Sequence, residues 1–507
     1  MEMKIIFFGV LYCIGWNNAI KSTKLLIGLG EPNSPEEISR SVPYTNRWFI
    51  QKLDHFNPTD KRTWKQKYQV NSQYHKEDGP IFLMIGGENA ISSLWMTTGA
   101  WIDYAKEFNA LCFQLEHRYY GKSRPTDDLS SESLVHLSSE QALADLAQFI
   151  IDSKTKFNIS STAKWVVFGG SYAGSLAAWS RMKFPHLIHA AVSSSGPLLA
   201  KADFNEYYKI VENILNTYNP DCAVQIKLAT KMLNDLIKSD QGNVNNNINN
   251  FKLCDPLEVN NKIDLWSLFA NLASNFADII QYYRSNRLGA TSTNKPTLDS
   301  LCDIMTNKLI LSPLDRYALV NEKILNFNSQ NCTDYTFNNL VKTYKNVSWK
   351  SDAATGSRQW TYQMCTEFGF FQTSSQEESI FGKFPLDLFI KLCSSVYGES
   401  YDIDLLTRGI NRSNMMYGQL DIKESRVIYV QGTVDPWHAL GMTHTKIINT
   451  VAIYINGTAH CADMYPPSPS DPPQLNRVRT LIRAYLQEWL AVSDLVEPFS
   501  LDNINVQ

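Results

Sequence analysis

"WVVFGGSYAGSLAAW", Trp165 to Trp179, runs an apolar stretch into two glycines and one serine before a helix-like pattern begins. A buried strand that ends in a serine hemmed in by Gly169, Gly170, Ala173 and Gly174 must turn very sharply, or leave room for something to approach its backbone. A nucleophile elbow meets both demands. In that turn the serine joins strand to helix in strained geometry, its hydroxyl stands above the sheet, and small residues two positions to either side avoid clashes. The usual pattern is Gly-x-Ser-x-Gly. Here it reads Gly169-Gly170-Ser171-Tyr172-Ala173, with Gly174 one place later; alanine adds one methyl group, so the turn stays feasible. A glycine-rich strand-to-helix turn without catalysis is the plain alternative.

A serine hydroxyl is a weak nucleophile near neutrality and needs a base, which in turn needs a carboxylate to orient it. On this kind of sheet the partners follow in the order serine, acid, histidine, each after a later strand. Asp435 follows the apolar run "RVIYVQ" and His460 follows "VAIYIN". Taken alone, Asp435-Pro436 is an ordinary turn and His460 an ordinary loop histidine; taken with Ser171, in that order, they read as a triad. An oxyanion would need two donors. The backbone N–H of Tyr172 is one, and Gly87 in "MIGGEN" is the candidate for the other, against the bland reading of a glycine turn.

The rest of the chain supports a sheet. "PIFLMIGG" (80–87), "ALCFQLEHR" (110–118), "KWVVFGG" (164–170) and "HAAVSSSG" (189–196) read as buried strands. Between two of them "SSEQALADLAQFIIDS" reads as a helix with a capping box of Ser138 and Gln141. Strand and helix in alternation imply a parallel sheet covered by helices. From 201 to 415 helical patterns dominate, and "QGNVNNNINN" (241–250) reads as a mobile loop. After about 416 the alternation returns, ending in "DPPQLNRVRTLIRAYLQEWL", where Asp471 is the expected N-cap and Leu475, Val478, Ile482, Tyr485 and Trp489 form an inward stripe. The expected organisation is a signal peptide at 1–19, a pro-segment or linker at 20–45, an α/β core at 46–200 and 416–495, a helical cap inserted at 201–415, and a tail at 496–507.

Composition narrows the function. The 507 residues are 44% hydrophobic and 19% charged, with a net charge of -3, which gives no field suited to nucleic acid. The N-terminus places one lysine before an apolar run of about a dozen residues, with Ala19 as a cleavage site, the layout of a secretory signal; a signal anchor is the alternative. No later stretch is apolar for long enough to span a bilayer. Nine cysteines include Cys13 in the signal, and Cys222, Cys254, Cys302, Cys332, Cys365 and Cys393 crowd into the middle of the chain. An even cluster in a secreted protein suggests disulfides, with fifteen pairings open for six cysteines. Cys112 and Cys461 are left as candidate free thiols, and no spacing resembles a zinc site. Five sequons, at Asn158, Asn331, Asn346, Asn411 and Asn456, also favour the secretory pathway.

"GGSYAGSLAAW", "EHRYYGKSRP", "DHFNP", "YQMCTEFGFFQT", "GTVDPW" and "GTAHCADM" together resemble the serine peptidases that include prolyl carboxypeptidase and lysosomal dipeptidyl peptidase, with the thymus-specific serine protease branch most similar. The resemblance spans about residues 46 to 490. It implies an α/β-hydrolase core with a helical cap, a Ser171, Asp435, His460 triad, and exopeptidase action in lysosomes or outside the cell, often at acidic pH and often after proline. Members of that family carry a second histidine where this chain has Cys461, so their carboxylate recognition is not carried over. Trp437 matches an apolar residue near the specificity pocket, with packing as its other role. Glu88 is a candidate for a peptide's amino terminus, although a capping or salt-bridge role weighs more. Arg118 reads as a buried ion-pair partner. The expected enzyme is a serine exopeptidase of short peptides needing no metal or cofactor, with a homodimer left open. An esterase or lipase on the same core, or an inactive binding protein, are the alternatives.

Overall fold

The structure, a computed structural model, describes residues 29–33, 44–239, 243–284, 287, 295–310, 312–375, 379–445 and 449–491. The expected signal peptide and C-terminal tail lie outside the described residues, as does most of 20–45.

Ten strands form: β1 Thr45–Lys52, β2 Thr63–Asn71, β3 Ile81–Ile85, β4 Leu111–Leu115, β5 Trp165–Gly170, β6 Ala190–Ser194, β7 Lys201–Asp203, β8 Gly369–Phe371, β9 Val427–Gly432 and β10 Thr450–Ile455. Eight of them build one sheet in the order β1-β2-β4-β3-β5-β6-β9-β10. From β4 to β10 every pairing is parallel. The expected parallel sheet is thus present, and at one edge it is extended by β1 and β2, where β1 pairs with β2, and β2 with β4, in antiparallel fashion. A parallel sheet is covered on both faces, so its strands are apolar throughout. Alternate residues then part company: Ile81, Leu83, Ile85, Trp165 and Val167 join one apolar cluster, and Phe82, Met84, Val166 and Phe168 the other. The second cluster is closed by helices Ala100–Phe108 and Pro473–Ala491 through Trp101, Ala105, Leu475, Val478, Ile482 and Trp489.

The first cluster is closed by helices Ser139–Lys156 and Tyr172–Lys183 and runs without a break into the inserted helices. Three disulfides staple that insert: Cys222–Cys302, Cys254–Cys332 and Cys365–Cys393. Cys112 and Cys461 are free and buried. Strands β7 and β8 pair in parallel and tie the insert's entry to its later part.

Two local expectations change. Within the Asn-rich stretch, Val244–Asn247 and Asn249–Phe251 are helical turns, Val244 is buried, and Asn245 exchanges hydrogen bonds with the backbone of Leu257. The polar sequence conceals an ordered element because its amides are spent on backbone groups. Ser138 does cap its helix, accepting from the Gln141 N–H at 3.2 Å, but the Gln141 side chain bonds to Asp54 and to the His55 N–H instead of closing a box. Among the described residues, no helix is long and apolar enough to cross a membrane.

Candidate active site

Ser171 has φ 61° and ψ −134°, a conformation that costs a non-glycine residue about 1–3 kcal/mol and must be held by its surroundings. Its N–H donates to the Ser194 carbonyl at 3.0 Å, and its own carbonyl accepts from Gly174 at 2.8 Å. The small neighbours now have reasons. A Cβ on Gly169 would lie 2.0 Å from the Ala173 carbonyl oxygen, and one on Gly174 would lie 2.8 Å from that of Ser194. A Cβ on Gly170 would lie 2.4 Å from Met464 Sδ and 3.0 Å from Cys461 Sγ, so this glycine makes room for the loop that carries His460. Leu29 reaches the same spot, 3.4 Å from that Cβ position, and the Tyr465 hydroxyl donates to the Gly30 carbonyl at 3.5 Å.

Asp435 stands just past β9 and His460 just past β10, which pair in parallel and bring the two loops together at one sheet edge. His460 Nδ1 donates to Asp435 Oδ2 at 2.9 Å, and both side chains are fully buried. The other carboxylate oxygen accepts the Trp437 N–H at 3.0 Å, and the His460 N–H donates to the Gln281 carbonyl at 2.9 Å. With Nδ1 committed to the carboxylate, the lone pair of a neutral imidazole lies on Nε2, and that atom is buried without a hydrogen-bond partner. Burial works against the imidazolium, but the Asp435 charge outweighs it and raises the histidine pKa above the ordinary 6.5.

The Ser171 hydroxyl points elsewhere. It donates to Glu88 Oε1 at 2.9 Å. Burial raises the Glu88 carboxyl, while its own backbone N–H, the Ser171 hydroxyl, the His460 charge and the Tyr172 N–H all pull the other way. The carboxyl therefore rests among a hydroxyl and peptide N–H groups, one of them at the start of the helix Tyr172–Lys183, in keeping with the capping alternative and not with a salt bridge. On the loop after β3 the N–H that acts on it is that of Glu88 itself. Gly87 lies against the elbow helix, where a Cβ would come 3.3 Å from that of Ala173.

The surrounding motifs hold this arrangement. Arg118 donates from Nε and from one terminal nitrogen to the two oxygens of Asp145, both at 2.7 Å, the ion-pair role read from sequence. It also donates to the carbonyls of Leu53 and His136. Glu116 accepts from the N–H groups of Ile91 and Lys122 and from the Ser123 hydroxyl. His117 is kept neutral, its pKa pushed down to about 4 by burial. Its Nδ1 bonds the Arg118 carbonyl at 2.7 Å and must carry the proton, so Nε2 accepts from the Tyr172 hydroxyl at 3.1 Å. That hydroxyl accepts in turn from Gln363, which accepts from Tyr120. Thus "EHRYYG" and "YQMCTEFGF" are a scaffold that fixes Tyr172, the residue next to Ser171. On the histidine loop, Asp463 accepts from the Ser194 hydroxyl at 2.5 Å, and the Cys461 N–H donates to Ser195 Oγ at 2.8 Å.

Several of these groups were missed in the sequence. Gln363 and Asp463 stand inside the motifs "YQMCTEFGFFQT" and "GTAHCADM", but the roles of these two and of Gln281 depend on partners far along the chain, Tyr172, Ser194 and Trp437, at separations of 191, 269 and 156 residues. Trp437 is packed and bonded in place, its indole N–H donating to Gln281 Oε1 at 3.0 Å, and its ring lines a cavity of about 180 Å³. The five sequon asparagines, Asn158, Asn331, Asn346, Asn411 and Asn456, are all exposed. Among the described residues, no group of three or more His, Cys, Asp or Glu side chains is placed to hold a metal ion.

Residues 51–482 match the family model described as Serine carboxypeptidase S28. The chain is 32% identical over 476 residues to the thymus-specific serine protease of Mus musculus, covering 93% of this chain and 91% of that protein. It is 29% identical over 458 residues to the lysosomal Pro-X carboxypeptidase of Mus musculus, covering 88% and 89%. Among solved structures, an acetylester hydrolase from Corynebacterium glutamicum superposes with a TM-score of 0.40 at 10% identity, over 88% of this chain and 96% of that one.

Proposed function

This chain belongs to the serine carboxypeptidase S28 family and is a serine-type peptidase on an α/β-hydrolase fold, and we propose that Ser171, Asp435 and His460 are its catalytic triad. The observation that carries the proposal is the 2.9 Å contact of Asp435 with His460, which leaves a free imidazole nitrogen at the sheet edge where Ser171 stands. In the free enzyme Ser171 is held by Glu88. A peptide carbonyl entering the site displaces the Glu88 carboxyl from the donors around it, and the serine hydroxyl turns to His460 Nε2. Catalytic hydrogen bonds are often formed only with substrate bound. His460 takes the proton as Ser171 attacks, then returns it to the leaving amine, and Asp435 holds the ring. The Tyr172 N–H and an N–H of the Gly87–Glu88 loop stabilise the oxyanion, and water resolves the acyl-enzyme.

The inserted helices close over one face of the core, which suits short peptides and chain ends. Cleavage after proline, the specificity named in the Pro-X carboxypeptidase relative, belongs to the same proposal, with Trp437 beside the residue whose carbonyl is attacked. Exposed sequons and three disulfides support passage through the secretory pathway to the lysosome or outside the cell. Replacing Ser171 with alanine tests the triad. Peptide hydrolysis should fall by about 10⁴-fold or more with the fold intact, and turnover retained by the folded variant would refute it.

A further inference from the structure

The cavity beside Trp437 has two unlike walls. One is aromatic, including Trp360, Phe370, Phe389 and Trp437. The other is a face of helix Lys262–Gln281, where Ser267, Asn271, Ser274 and Asp278 follow one another at helical spacing. The opposite face of that helix buries Leu268, Leu272, Phe276 and Ile280 in the core, so it cannot turn its polar stripe away.

Asp278 is the one charged residue that lines the cavity, and it makes no hydrogen bond or ion pair with another described residue. One turn before it, the Ser274 hydroxyl donates to the Asn271 carbonyl, so what Ser274 offers the cavity is lone pairs. Acceptors are thus gathered at this end of the stripe, and the cation among the described residues that acts on Asp278, Arg287, does so through its charge without a hydrogen bond or ion pair to it. The end is also fixed relative to the triad. Three residues on, Gln281 accepts from the Trp437 indole and the Tyr207 hydroxyl, and its carbonyl accepts the His460 N–H. Whatever Asp278 holds is therefore registered against the catalytic histidine.

We propose that this cavity is a substrate subsite for an alkylammonium group, with Asp278 as its counter-ion. The proposal rests on the peptidase reading of Ser171, Asp435 and His460. An incoming C-terminal carboxylate would place two like charges together in a desolvated site, which disfavours that end. Burial pushes the Asp278 carboxyl up to about 7 against the opposing pull of the Arg287 charge, and an ammonium seated in the cavity would favour its ionised form. The same chemistry is presented by a peptide's amino terminus and by a lysine side chain, and binding separates them.

The Ser171→Ala protein is titrated, by the fluorescence of the cavity tryptophans, with three peptides of otherwise identical sequence. One has a free amino terminus and norleucine before the scissile bond, one is acetylated with lysine there, and one is acetylated with norleucine. An ammonium-bearing peptide should bind about ten- to a hundredfold tighter than the neutral one, the worth of a charge-assisted contact. Which of the two does so names the source. Adding Asp278→Asn should erase that preference while leaving the neutral peptide's affinity in place, and Asp278→Glu should restore part of it; a merely structural role would weaken all three peptides alike. Equal affinities, or no binding by any of the three, would overturn the proposal. Hydrolysis is not read here, so an absence of turnover by the native protein would strike the peptidase reading alone.

Discussion

In the proposed triad, Glu88 competes with His460 for the proton of the Ser171 hydroxyl. The serine donates to a carboxyl 83 positions away while the buried imidazole nitrogen goes without a partner. Glu88→Ala should therefore release the hydroxyl toward His460, and fluorophosphonate labelling of Ser171 should quicken by about two- to tenfold, the worth of one hydrogen bond; an unchanged or slower rate would show that Glu88 does not restrain it. Asp435→Asn should leave the histidine in place but with the wrong tautomer, lowering kcat by about 10⁴-fold, as measured on any peptide the native protein turns over. The positions of Ser171, Asp435 and His460 just past the ends of three strands are legible in the sequence, because each follows a short apolar run; their shared role is the proposal. The Glu88 contact is not legible there. It depends on which rotamer the serine adopts, and the sequence offers Glu88 only as a generic partner for an amine or a cation.

The elbow and the disulfide-linked helices make separate demands on the chain. A methyl group at 169 would meet backbone, the Ala173 carbonyl, which has no flexible end to swing away. Gly169→Ala should cost about 1–3 kcal/mol, read as a lower urea midpoint. The Cys222–Cys302 bridge closes a loop of 80 residues between helices Pro220–Ser239 and Leu298–Thr306. Replacing both cysteines with serine should cost about 2–5 kcal/mol and speed amide exchange in those two helices while sparing Pro473–Ala491. Strands β3 to β6 can be read directly as short apolar runs. The antiparallel edge cannot, because β1 inverts the usual pattern. Trp48 and Ile50 face outward, 47% and 58% exposed, while Gln51 is buried and bonds to buried Gln66 and to the Asp145 carbonyl. Inward amides that satisfy one another leave no hydrophobic alternation to find.

Taken together, the buried acids set how the folded protein responds to pH. Glu367 accepts from the Ser139 N–H and hydroxyl, yet burial pushes its pKa from 4.5 up to about 7; burial likewise lifts Asp463 from 3.8 to about 6. A carboxyl whose folded pKa is raised binds its proton more tightly in the native state. Its contribution is therefore complete at low pH and is lost as pH climbs from the unfolded to the folded value. For these two the window runs from about 4 to 7, and the raised His460 acts in the same sense. The melting temperature should be higher at pH 5 than at pH 7.5, and Glu367→Gln should flatten the difference; a melting temperature that rises across the window would refute this. The split into a core and an inserted helical region is visible in the change from short apolar runs to long amphipathic ones. That one apolar cluster passes unbroken from the sheet into the insert is not, since it depends on contacts between segments distant in sequence.

The proposed chemistry turns on one covalent bond, that between a substrate's acyl group and Ser171. Rapid acid quench of the native protein with a peptide it cleaves, followed by mass spectrometry of the digested protein, would look for it. An added mass equal to the acyl portion, on the fragment containing Ser171 and absent from the His460→Ala variant, is the expected result. Steady turnover in which Ser171 never carries the acyl group, or carries it equally without His460, would contradict the triad.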